Sequence, residues 1–266
     1  MKIAILGAGN LGGAIARGLA KGSIFKEDEI IVTARSQQTL DALKEANPKF
    51  YATNDNTEAV KGADVIVLAV KPWLLSSVIS QIRHSVDFEK QIIISVVAGV
   101  SFDDLQTMIS YEYPVTPIMF RVIPNTAVAI RQSMTLISSR NATREQEEKI
   151  KSFFDELGKA VIIEERMMDA GSALCSCGIA FAMRYMKANI DGAVEMGFYA
   201  QEAREMIAQT LKGAAEILLQ DGSMPDEEIY KVSTPGGMTI KGLNEMDAKG
   251  FSAAMISGLK ATLRKG

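Results

Sequence analysis

The sequence is poor in the residues that announce metal or redox chemistry. One histidine, His84, stands in 266 residues, and only two cysteines accompany it, Cys175 and Cys177. A structural zinc site takes four such ligands, usually in two close pairs, so no metal site is expected. Two cysteines this close cannot frame a disulfide scaffold; they read as small core residues. Long hydrophobic runs are also missing. The longest, around "IIISVVAGV" at 92–100, is far short of the ~20 residues of a membrane helix. "MKIAILGAG" at the start is too brief an apolar segment for a signal peptide. Nor is there a basic excess: the net charge of −3 argues against nucleic acid as a main partner. A soluble cytoplasmic protein is expected. What remains is ordinary globular composition, 47% hydrophobic and 23% charged, enough for one large domain or two smaller ones.

Residues 1–164 alternate two kinds of segment. Short apolar, β-branched runs occur at "KIAIL", "EIIVTA", "ADVIVLAV", "QIIISVV", "MTLIS" and "AVIIE". Amphipathic stretches such as "NLGGAIARGLAKG" and "WLLSSVISQIRHSV" lie between several of them. Strands without polar alternation belong to a parallel sheet covered on both faces. Their alternation with helices predicts βαβ units and a doubly wound α/β domain. The stretch "TREQEEKIKSFFDELG" reads as a helix with Thr143 as N-cap and Gly158 as its stop. From 165 to 266 strand signals vanish. "RMMDAGSALCSCGIAFAMRYMKANIDGAVEMG" reads as a long helix with small residues and methionines on more than one face. Such a helix is buried on several sides, and packing against a second copy of the chain would cover it. The expected organisation is thus a nucleotide-binding domain over 1–164 and an all-α dimerisation domain over 165–266.

The chemistry starts at the first strand. Gly7-Ala8-Gly9-Asn10-Leu11-Gly12 follows it and opens a helix, which is the context that makes GxGxxG a Rossmann dinucleotide fingerprint. Gly7 permits the tight turn, Gly9 lets a pyrophosphate approach the backbone, and Gly12 lets helix and strand pack closely. The helix N-terminus offers free N–H groups and a positive dipole to the phosphates. An NAD site usually ends its second strand with an acid for the ribose 2′-OH. Ala34-Arg35-Ser36 stand there instead. A guanidinium and a hydroxyl suit a 2′-phosphate, so NADPH is expected and NADH as the weaker donor. Ligands bind beyond the carboxyl ends of parallel strands. Ala69-Val70-Lys71-Pro72 and Val97-Ala98-Gly99 occupy two such ends. Their small residues leave room for a flat ring, and Lys71 can reach ribose or phosphate oxygens.

"GAGNLGGAIARGL", "AVKP", "VVAGV", "RVIPNTAVAIRQSMTL" and "STPGGMTIKGL" together resemble the pyrroline-5-carboxylate reductases, in order along almost the whole chain. The resemblance implies a Rossmann domain followed by a helical dimerisation domain, often assembled as a pentamer of dimers. It implies reduction of Δ1-pyrroline-5-carboxylate, a small cyclic imine carboxylate, to L-proline with NAD(P)H, the last step of proline biosynthesis. It also points to Asn56 as a cofactor contact. The chain departs from the family pattern in three places. Cys175-Ser176-Cys177-Gly178-Ile179-Ala180 replaces Ser-Gly-Ser-Gly-Pro-Ala, Ala127 stands where a proline usually follows Pro-Asn-Thr, and Thr234 replaces a serine.

Within this reading, "STPGGMT" at 233–239 becomes the substrate segment. Ser233 or Thr234 would cap a helix, and Pro235 would take its first position. Gly236 and Gly237 would leave backbone bare beside Met238, giving an anion site for the carboxylate. Thr239, one turn inside, would hydrogen-bond to the ring nitrogen and is the candidate catalytic residue. Glu165, Asp169 and Ser172 are further candidates for the pocket wall. An active site between the two domains is expected. Two other readings stay open: an NADP-dependent β-hydroxyacid-type dehydrogenase using Lys187 as base, and a non-catalytic NADPH sensor.

Overall fold

The computed structural model describes residues 1–112 and 114–263. Among the described residues eight strands build one sheet: β1 (Ile3–Leu6), β2 (Ile30–Thr33), β3 (Tyr51–Thr53), β4 (Val65–Leu68), β5 (Ile92–Ser95), β6 (Met119–Ile123), β7 (Ser133–Arg140) and β8 (Gly158–Ile162). Their order is β3-β2-β1-β4-β5-β6-β7-β8, and among the described residues only the β6–β7 pairing is antiparallel. Ile5 sits level with Val32 on one side and Val67 on the other. Strands β3 and β6 do not show as unbroken apolar runs in the sequence. The first is three residues long at the sheet edge with Tyr51 exposed, and the second carries a charged residue, Arg121, at its centre.

Six helices accompany these strands: α1 (Asn10–Leu19), α2 (Gln37–Ala46), α3 (Asn56–Val60), α4 (Leu75–Ile82), α5 (Phe102–Ile109) and α6 (Arg144–Asp155). Both sheet faces are covered, which is why the strands show no polar alternation. Ile3 and Ile5 pack with Ile15, Leu19 and Phe153 on one face; Ala4 and Leu6 pack with Leu75, Ile79 and Leu105 on the other. Thr143 caps α6 as expected, its hydroxyl accepting from the Gln146 N–H. The helix ends at Asp155, however, before the expected stop. Gly158 instead opens β8 at φ +142°, where a Cβ would stand 2.2 Å from the Ser133 carbonyl oxygen.

Beyond β8 the chain is helical: α7 (Met168–Gly171), a wide π turn over Ser172–Cys177, α8 (Gly178–Glu195), α9 (Ala200–Asp221), α10 (Pro225–Val232), α11 (Met238–Ala248) and α12 (Phe251–Ala261). The chain divides into two compact units, Met1–Ser176 and Cys177–Gly266. Each is described by itself. In the second unit α8 lies along α9, and Tyr185 meets Phe251 edge-on at 6.1 Å. Of its described residues only Ala203 is buried. Met183, Met196, Tyr199, Leu219 and Met238 all stand largely exposed. Among the described residues no helix is long and apolar enough to cross a membrane.

Candidate active site

The turn after β1 is shaped by two crowded glycines and one open one. Gly7 takes φ +92°, and a Cβ there would lie 2.7 Å from Val70 Cγ1 and 2.9 Å from the Ala69 carbonyl oxygen. A Cβ at Gly12 would stand 2.5 Å from the Gly7 carbonyl oxygen and 3.0 Å from Ala69 Cβ. Strand β1, the start of α1 and the end of β4 therefore meet more closely than any other residue allows. At Gly9 a Cβ would meet nothing within 4 Å, so that glycine serves no packing within the chain. It leaves space in front of α1, whose N-cap has no side-chain partner. Free N–H groups facing an open cradle fit a pyrophosphate. Ala8 is buried beneath the turn, its N–H donating to the Thr33 carbonyl at 2.6 Å. Asn10 is exposed and Leu11 half-buried.

Past β2, Arg35 and Ser36 lie exposed, and Ser36 caps α2 by accepting from the Thr39 N–H at 3.3 Å. The Arg35 guanidinium is thus carried between β2 and α2, at the carboxyl end of the sheet. Asn56 opens α3 beside them. Its carboxamide accepts from the Thr33 hydroxyl at 2.7 Å and donates to Gln81 at 3.0 Å. After β4, Ala69 and Val70 back the glycine turn, Lys71 is exposed, and Pro72 begins a short 3-10 turn. Gly99, after β5, takes φ +73° with open space around it.

A cavity of about 180 Å³ continues this row of strand ends. Leu11, Val96, Ala98 and Gly99 form one side; Arg121, Ile123 and Pro124 come from β6 and its end; Asp169, Ser172 and Ser176 come from α7 and the π turn. Asp169 and Ser172 were expected here. Arg121, Ser176 and the neighbouring Asn125 were not singled out by sequence reasoning. The one signal was a charge inside the apolar run "MFRVI". Glu165 takes another part. Its carboxylate accepts from the Phe102 N–H at 2.8 Å, from Arg121 at 2.9 Å and from Arg140 at 3.2 Å. It balances the guanidinium of Arg121, which is only 9% exposed and would be costly to bury alone. A larger open hollow, about 450 Å³, surrounds Arg140 and Glu165, away from the glycine turn. Cys175 and Cys177 are half-buried rather than core residues, and burial pushes the Cys175 thiol up from its ordinary range.

In the helical unit the segment at 233–239 differs in structure from expectation. Helix α11 starts at Met238, with Gly237 as N-cap, not at Pro235. Thr234 to Gly237 instead form a turn, closed by the Gly237 N–H donating to the Thr234 carbonyl at 2.9 Å, with Gly236 at φ +72°. Proline at the second position and glycine at the third are what a type II turn requires. Ser233 ends α10 rather than capping α11. Thr239 is consequently the second residue of α11, exposed, not one turn inside. A Cβ at Gly237 would stand 2.5 Å from the Thr234 hydroxyl oxygen, so the turn is tight. No side chain caps the α11 N-terminus, and its first N–H groups have no partner within the helix.

Sheet order, glycine turn and strand-end cavity define a dinucleotide-dependent oxidoreductase joined to an all-helical domain. Residues 2–99 match the model of the family described as "NADP oxidoreductase coenzyme F420-dependent", and residues 165–266 match "Pyrroline-5-carboxylate reductase dimerisation". Pyrroline-5-carboxylate reductase 2 of Dictyostelium discoideum is 37% identical over 99% of this chain and 91% of its own length. Pyrroline-5-carboxylate reductase 1 of the same organism is 38% identical over 97% of this chain, which spans only 48% of that longer protein. The crystal structure of Plasmodium falciparum pyrroline carboxylate reductase with NADP bound shares the fold, with a TM-score of 0.86 at 23% identity, covering 99% of this chain and 95% of that one. The chain belongs to the pyrroline-5-carboxylate reductase family.

Proposed function

We propose that the protein reduces Δ1-pyrroline-5-carboxylate to L-proline with NADPH. The observation that carries this reading is the pair of anion-ready helix starts, one behind an open glycine at Gly9 and one behind a Pro-Gly turn at Gly237. NADPH would lie along the strand ends. Its pyrophosphate would rest on the turn from Gly7 to Gly12, its 2′-phosphate against Arg35 and Ser36, and its riboses near Asn56 and Lys71. Pro72 and Val70 would flank the nucleotide, and Ala98 and Gly99 would border the ring. When bound, the cofactor supplies a hydride from its nicotinamide C4.

The protein's own residues do the rest. The Thr234–Gly237 turn and the free N–H groups from Met238 onward would hold the substrate carboxylate. The Thr239 hydroxyl, at the second helical position, would contact the ring nitrogen. Two atoms' worth of change complete the reaction: hydride adds to the imine carbon, which becomes C5 of proline, and a proton to the ring nitrogen. A cyclic imine is basic enough to be protonated from solvent, so positioning rather than strong acid catalysis supplies most of the acceleration. The helical domain from 165 would pair two copies, burying the apolar side chains that one chain leaves exposed; the pentamer of dimers and the cytoplasmic location belong to the same proposal. The hydroxyacid dehydrogenase reading loses its base. Lys187 is an exposed ammonium held 2.6 Å from both carboxylate oxygens of Asp191.

Steady-state NADPH oxidation with pyrroline-5-carboxylate tests the proposal, with a 3-hydroxy acid and NADP+ as the control. Substrate-dependent oxidation that yields proline is expected. Turnover of the hydroxy acid alone, or cofactor binding with no turnover of either, would replace it with one of the other readings.

A further inference from the structure

Asn125 sits just past β6 and is held from both its ends. Its N–H donates to the Ser133 hydroxyl at 3.1 Å, and that buried oxygen also accepts from Thr135 at 3.0 Å. Its side-chain oxygen accepts from the Ala127 N–H at 3.0 Å. That bond fixes which end of the carboxamide is the oxygen, so the amide nitrogen is aimed the other way. It donates to the carbonyl of Cys175 at 3.2 Å.

Cys175 lies in the π turn over Ser172–Cys177. A π turn is less favourable than α-helix and persists where something outside the helix supports it. Ser172 and Ser176 of this turn line the 180 Å³ cavity, while Asn125 itself does not. Asn125 thus ties the cavity wall to the sheet without taking part in the wall. We propose that Asn125 is a positioning residue for hydride transfer: through the Cys175 carbonyl it holds the π turn so that the Ser172 and Ser176 hydroxyls face the end of the nicotinamide site. The inference rests on the reading that this cavity receives the nicotinamide end of NADPH.

Asn125→Asp keeps the shape and removes the donor, setting a carboxylate against a carbonyl; Asn125→Ala removes the side chain. Two readouts apply to both. The first is amide hydrogen exchange on the full-length protein, with and without NADP+. Exchange at 172–177 should quicken about tenfold in each variant, and NADP+ should still protect residues 7–13. The second is turnover. For pyrroline-5-carboxylate, kcat should fall about tenfold with the KM for NADPH unchanged. The primary deuterium effect from labelled NADPH should rise as hydride transfer becomes slower. Unchanged exchange at 172–177 would overturn the proposal. So would kcat and NADP+ affinity falling in parallel with melting temperature, which marks a purely structural residue. If the native enzyme proves inactive on the imine, the functional reading fails separately, and the exchange result still decides whether Asn125 holds the turn.

Discussion

Gly9 and Gly12 lie three residues apart in the same motif, and the structure separates their roles. An added methyl at Gly12 falls 2.5 Å from the Gly7 carbonyl oxygen and 3.0 Å from Ala69 Cβ. Ordinary contact begins near 3.4 Å, so α1 must move by most of an ångström from β1. Overpacking of this kind costs about 1–3 kcal/mol, or roughly 2–10 °C of melting temperature for a domain of this size. The same methyl at Gly9 meets nothing within 4 Å. Gly9→Ala should cost less stability than Gly12→Ala, because its methyl meets no neighbour. It would stand, however, where the pyrophosphate is proposed to approach, and should weaken NADP+ binding at least about tenfold, or about 1.4 kcal/mol. Thermal melts of the cofactor-free variants, with calorimetric titration of NADP+, give both quantities. Gly12→Ala should lose stability and affinity together; Gly9→Ala should lose affinity with the smaller loss of stability. A Gly9→Ala protein that binds NADP+ as tightly as the native one would show that the cradle does not hold the cofactor.

Three further outcomes are expected. Arg35→Ala should weaken NADPH binding by about 1.5–3 kcal/mol if its guanidinium makes a charge-assisted bond to the 2′-phosphate, with NADH nearly unaffected; equal changes in KM for both would refute it. Thr239→Val should lower kcat about 10- to 100-fold, as expected when one hydrogen bond formed mainly in the transition state is lost, and an unchanged kcat across the pH range would leave protonation to solvent alone. A charge at Ala182 or Met186, as in Ala182→Glu, should give monomer or aggregate in sedimentation, whereas a native protein that is monomeric at micromolar concentration would remove the case for dimerisation.

The layout of the first domain was legible because its physics is local. Apolar runs of four or five residues, helix caps and a glycine turn all fall within short windows of sequence. What stayed hidden depends on partners far along the chain. Strand β6 carries Arg121 in its middle, and the charge becomes tolerable only through Glu165, forty-four residues later. The π turn leans on Asn125, fifty residues before it. At 233–239 the sequence fitted two local structures. Serine, threonine and proline suit a helix start, and Thr-Pro-Gly-Gly suits a type II turn equally well. The structure takes the turn, which moves the helix start to Met238 and brings Thr239 close to its N-terminus. Glu165 was a candidate for the pocket wall from its position at the head of the helical run; the two arginines and the Phe102 N–H that engage its carboxylate come from distant parts of the chain.

The most direct test of the central claim follows the hydride itself. NADPH carrying deuterium at nicotinamide C4, on each face in turn, is incubated with the protein and pyrroline-5-carboxylate, and the product is read by mass spectrometry. Proline with one deuterium at C5, from one of the two labelled cofactors, is the predicted result. Unlabelled proline, or NADPH consumed with no proline formed, would contradict the account.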